Sequence, residues 1–103
     1  MARLPYLEQE DLAPEDRKLL ARRINLFRIL SHSPNGARAF STLGGYIRNG
    51  SKLDPRLREL AILQVGYVTR SPYEYSHHSK LGREFGVKDA DIRALVEETA
   101  GRP

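Results

Sequence analysis

The chain has 103 residues, 40% hydrophobic and 29% charged, with a formal net charge of +4; these are the proportions of one small folded domain rather than a disordered tract. It contains no cysteine, which excludes disulfide stapling, thiolate catalysis, CxxC redox chemistry and a Cys-ligated zinc. No run nears the roughly 18 apolar residues of a membrane span, and MARLPYLEQEDL lacks the basic-then-apolar layout of a secretory signal, so the expectation is a cytoplasmic protein with no membrane partner.

A pI of about 9.7 raises the question of nucleic acid. The charges are interleaved, however, as in Glu15-Asp16-Arg17-Lys18 and Arg83-Glu84. Arg17-Lys18 and Arg22-Arg23 lie on a helical pattern with no aromatic platform beside them, which reads as a solvated face. No nucleic-acid partner is expected.

Residues 1–13 read as extended, with Leu4, Tyr6, Leu7 and Leu12 available to cross helices. Pro14 suits a first helical turn, and Glu15 and Asp16 suit the positive end of a helix dipole. Leu19, Leu20, Ile24 and Phe27 carry an apolar stripe through LLARRINLFRIL. Ser33-Pro34 opens the next helix, where Ala37, Phe40, Leu43, Tyr46 and Ile47 recur at helical spacing before Asn49-Gly50 closes it. Asp54-Pro55 combines a capping carboxylate with a first-turn proline. The helix it starts is apolar round most of its circumference, from Leu57 to Val68, and reads as central and buried on several sides. Ser71-Pro72 breaks that helix and caps another ending at Gly86, and a last helix begins near Asp89. No segment alternates as a strand would. The expectation is an all-α fold of about five or six helices in one domain over 1–103, with a central antiparallel helical hairpin.

A buried hairpin over 54–86 needs cover on more than one side, and one short final helix supplies little of it. Self-association or further chain would provide the rest; a homo-oligomer with the central helices near its interface is the expectation.

Three ionisable residues interrupt the apolar faces. Glu59 shares a helix face with Ile62, Leu63 and Gly66, and the missing side chain at Gly66 allows a backbone or ligand to come close. It is either a buried carboxylate or an edge residue paired with Arg56 or Arg58. Glu74 and His78 are four residues apart and so share a face, continued by Leu81 and Phe85. A Glu74–His78 contact would fix the imidazole's tautomer, whether for proton transfer or merely to satisfy a structural histidine. His77 points about 100° away, toward Tyr73 and Lys80. One inward histidine with two carboxylates is a poor zinc set, and nothing reads HExxH, so no metal is expected. Ser71 and Ser76 have no nucleophile context, and no Gly-rich phosphate loop or other cofactor motif is present.

At NLFRILSHSP (25–34), LDPRLRELAIL (53–63) and SPYEYSHHSKLGREFGV (71–87), the chain resembles three consecutive blocks of the carboxymuconolactone decarboxylase family, which includes the alkylhydroperoxidase D-type proteins. The peroxidase branch carries an upstream Glu, a CxxC pair and a His four residues after the second cysteine. By that resemblance Glu59 takes the place of the relay Glu and His78 that of the His, while Ser71 and Glu74 stand at the cysteine positions. Neither can cycle through a disulfide, so thiol peroxidase chemistry is unsupported. The decarboxylase branch also lacks the cysteines and has a Glu four residues before a His, similar to Glu74 and His78. The resemblance then implies a lyase acting on a small organic acid or carboxylated lactone, with Glu59, Glu74 and His78 catalytic. Arg70 and Ser71 would meet the substrate, and no cofactor is implied. Family chains commonly run beyond the point where this one stops, so the active site is expected to draw on more than these residues. A catalytically silent helical module of the same family is the alternative.

Overall fold

The computed structural model describes residues 3–101, and all its regular structure is helical. A 3₁₀ turn at Gln9–Asp11 and a 3₁₀ helix at Pro14–Leu20 precede α1 (Asn25–Leu30) and α2 (Pro34–Gly45), which continues as a π-helical turn over Tyr46–Gly50. Then come α3 (Pro55–Val68), α4 (Pro72–Glu84) and α5 (Asp89–Thr99). The chain divides into two compact units, Met1–Ser51 and Lys52–Pro103.

In the first unit Leu12, Leu20 and Ala37 are buried, and Phe27 meets Phe40 edge-on with ring centroids 6.5 Å apart. The helical stripe expected through residues 19–30 is interrupted at 21–24, where Ile24 is extended (φ −106°, ψ 154°). The reason is tertiary. Arg23 and Arg28 both bind the Glu8 carboxylate, at 2.5 and 2.6 Å. In one continuous helix those two positions would lie about 140° apart round the axis and could not share one carboxylate. The N-terminal stretch is extended apart from its 3₁₀ turn; Leu12 is buried, but Leu4 and Tyr6 are exposed, and Tyr6 lies under the Arg28 guanidinium.

The second unit is a three-helix arrangement with α3 in the middle. Asp54 Oδ1 accepts from Arg56 N at 2.8 Å, the expected cap. α3 and α4 are antiparallel: Gly66 lies against Tyr75 near the turn, and Glu59 against Gly82 near the open end. At Gly66 a Cβ would lie only 3.1 Å from Tyr75 N, so the missing side chain sets the interhelical spacing there, whereas at Gly82 the crowded atoms are those of Val87, beyond the end of α4. α5 runs parallel to α3, joined by Arg56–Asp91 at 2.8 Å and Gln64 Nε2 donating to Thr99 Oγ1 at 2.9 Å.

Two expectations for this unit need correction. α3 is not covered on several sides: Leu57, Val65 and Val68 are 48%, 61% and 59% exposed, on a face that α4 and α5 leave open. Nor does Phe85 continue the inner stripe of α4, although Leu81 is half-buried. His78 and Gly82 face α3, Val87 fills the space beyond Gly82, and Phe85 is an exposed ring beneath Arg58.

Candidate active site

α3 places Glu59 on its inner face, where the residue is 1% exposed. A carboxylate in that setting needs counter-charge and hydrogen bonds to offset its lost hydration. It has both. Arg58, itself buried, brings Nη2 to 3.5 Å from Glu59 Oε1, and its guanidinium is 4.7 Å from the Phe85 ring centroid. The second carboxylate oxygen, Oε2, lies 2.8 Å from His78 Nδ1. The two readings left open by the sequence are thus both partly met: Glu59 is buried, and it pairs with Arg58.

Ser71 caps α4, its Oγ accepting from Glu74 N at 3.4 Å. That cap fixes the helix phase so that Glu74 falls in the first turn and His78 one turn later, facing α3. His78 Nε2 lies 3.3 Å from Glu74 Oε2. Buried depth falls along the series, with side-chain exposures of 1% at Glu59, 16% at His78 and 45% at Glu74. The contact expected to set the tautomer was Glu74–His78; the short, well-formed bond is instead to Glu59, because Nδ1 is the nitrogen turned toward α3. With Glu59 accepting from Nδ1–H, Nε2 is the ring nitrogen that faces Glu74 at the solvent edge. A carboxylate, an imidazole and a second carboxylate thereby form a chain from the interior to the surface. Both ring nitrogens face carboxylate oxygens, and among the described residues no group of three or more His, Asp or Glu is arranged to hold a metal ion.

Arg70 and Ser71 sit apart from this series. They line a groove of about 350 Å³ at the α3–α4 turn, with Gly66, Tyr67, Pro72 and Tyr75. Glu59, Glu74 and His78 are not among its walls. His77 is exposed, as expected, and stacks on Tyr73 with centroids 5.7 Å apart. Sequence reasoning missed Gly82 and Val87. The glycine inside HSKLGREFG was the available signal, since a mid-helix glycine marks a close approach. It also missed the paired rings of Tyr67 and Tyr75, 6.0 Å apart.

No helix among the described residues is long and apolar enough to cross a membrane. Neither the curated proteins nor the solved structures contain a match to this sequence. The sequence model of the Carboxymuconolactone decarboxylase family, by contrast, matches residues 34–101, a span that takes in α2 to α5 and every residue of the carboxylate–imidazole series. The chain belongs to the carboxymuconolactone decarboxylase family.

Proposed function

We propose that this chain performs acid–base chemistry of the decarboxylase type on a small organic acid or lactone, with Glu59, His78 and Glu74 as a proton relay. The observation that carries the proposal is the 2.8 Å contact between a fully buried carboxylate and a ring whose other nitrogen reaches the solvent edge. Glu59 holds Nδ1–H and orients the ring, leaving Nε2 to give or take the proton. In a decarboxylation the bond to the carboxyl carbon breaks, CO₂ leaves, and its electron pair passes into the conjugated carbonyl. A proton carried between Glu74 Oε2 and His78 Nε2 then quenches the carbon, and water replaces it through the exposed Glu74 carboxyl. Arg70 and Ser71 are the proposed contacts for a substrate carboxylate. The chain has no thiol to serve a peroxidase cycle.

The assembly is proposed to be a homo-oligomer of the cytoplasm, with no nucleic-acid or membrane partner. Leu57, Val65 and Val68 form one exposed stripe on α3, while among the described residues of this unit the buried apolar side chains are Leu63 and Val87. A second copy covering the stripe would supply the core that the unit lacks.

One observation favours a silent scaffold instead: Glu59 already has Arg58 and His78 as partners, and the turn groove does not open on them. Turnover decides between the two. CO₂ release from carboxylated lactones is expected for the wild type and should fall at least about a hundredfold in His78→Ala. Equal rates in both remove His78 from any mechanism. Under the scaffold reading, Glu59→Gln with His78→Gln keeps the oligomer and costs stability alone.

A further inference from the structure

α3, α4 and α5 each hand over to a left-handed residue, and the identity of that residue differs in an informative way. After α4 and α5 it is glycine: Gly86 at φ +94° and Gly101 at φ +89°. After α3 it is Arg70 at φ +55°. The α3 and α4 ends share one hydrogen-bond pattern. Ser71 N donates to Gly66 O and Arg70 N to Tyr67 O, as Val87 N donates to Gly82 O and Gly86 N to Arg83 O. Glycine is the residue such a cap favours, since a Cβ is disfavoured at positive φ. At the α3 end the chain accepts that strain and gains a guanidinium beside the turn groove.

The groove itself points to what the guanidinium meets. Its walls are Gly66, Tyr67, Arg70, Ser71, Pro72 and Tyr75, giving one cation, no carboxylate and two phenol rings tilted at 47° to each other. Among the described residues the Arg70 side chain makes no ion pair or hydrogen bond. At about 350 Å³ the space lies at the lower end of the roughly 300–1,000 Å³ typical of small-molecule sites. We propose that this groove binds a flat, ring-bearing monocarboxylate, with Arg70 taking the carboxylate and Tyr67 and Tyr75 facing the ring. A guanidinium matches a carboxylate in two parallel hydrogen bonds, and aromatic faces favour a planar ring over a puckered one. The proposal deepens the assignment of Arg70 as a substrate contact, and it does not depend on turnover.

Sodium benzoate is the probe, followed by amide chemical shifts of the full chain, with cyclohexanecarboxylate and benzamide as controls. Benzoate is expected to bind about tenfold more tightly than either control, with the largest shifts at residues 66–75. Arg70→Gly is the decisive variant, because glycine suits the backbone there. It should melt at or above the wild-type temperature and yet bind benzoate at least about tenfold more weakly. Tyr75→Phe retains the ring and should bind normally, whereas Tyr67→Leu should bind benzoate no better than cyclohexanecarboxylate. Equal binding of all three compounds, or unchanged affinity in a well-folded Arg70→Gly protein, overturns the proposal. Benzoate binding without lactone turnover leaves the groove standing and removes the relay; turnover without benzoate binding does the reverse.

Discussion

The spacing between α3 and α4 decides whether Glu59 can reach His78, and Gly66 sets it, with Gly82 as the control. Gly66→Ala and Gly82→Ala therefore make a matched pair. Each gains about 1 kcal/mol of helix propensity. At Gly66 the new Cβ would sit 3.1 Å from Tyr75 N and 3.5 Å from Tyr75 Cα, both backbone atoms that move only if α4 moves. Overpacking of that kind costs about 1–3 kcal/mol, so the net effect is a loss of about 1 kcal/mol. At Gly82 the neighbours are Val87 Cγ2 at 3.2 Å and Val87 Cβ at 3.3 Å, which belong to a side chain near the helix end. Val87 can shift, and the net effect should lie within about 0.5 kcal/mol of zero. Urea unfolding at one fixed protein concentration measures both, the fixed concentration keeping the mass-action contribution of self-association comparable. On a domain of this size about 1 kcal/mol corresponds to roughly 4–8 °C in melting temperature. A Gly66→Ala protein as stable as Gly82→Ala would refute the claim that backbone contact at Tyr75 sets the hairpin spacing.

The caps should rank by their geometry. Asp54→Ala, which removes a 2.8 Å bond, should cost about 1 kcal/mol, and Ser71→Ala, at 3.4 Å, less, both read from chemical unfolding. Acid should weaken the fold through two surface carboxyls. Asp91 is held below its usual 3.8 by the Lys88 backbone N–H and then Arg56, and Glu8 below its usual 4.5, foremost by its hydrogen bond to Arg23. Because the folded values are the lower ones, their contribution is present above the unfolded values and is lost as pH falls through the folded ones. Urea midpoints measured from about pH 5 downward should decline, and less steeply in Asp91→Asn. Val65→Glu places a charge in the exposed α3 stripe; it should shift the protein to a smaller species in sedimentation while leaving its helix content unchanged.

Local chemistry made much of this molecule legible in the sequence. Asp54-Pro55 and Ser71-Pro72 start their helices as capping rules require, and Gly86 ends α4. A glutamate on an apolar face needed a partner, and the next helix offered Glu74 and His78 together on one face. What stayed hidden depends on contacts distant in sequence. Glu8 breaks the helical run at 21–24 by binding two arginines that periodicity would set on different faces. Phe85 follows the apolar spacing of α4, yet it lies outside because Gly82 admits Val87 to the position a core ring would occupy. Which imidazole nitrogen meets which carboxylate depends on the rotation of α4 against α3, and no spacing rule carries that information. Arg70 was legible as a residue before a cap but not as a left-handed one, since the pattern of a helix end leads one to look for glycine.

The relay depends on a proton held between the His78 ring and the carboxylate beneath it. Long-range ¹⁵N–¹H spectra of the histidine rings near neutral pH address this directly. The structure predicts a proton on His78 Nδ1, slow to exchange with solvent, whose resonance shifts or is lost in Glu59→Leu while those of His32 stay in place. A His78 ring protonated only at Nε2, or an Nδ1 signal indifferent to Glu59, would contradict the account.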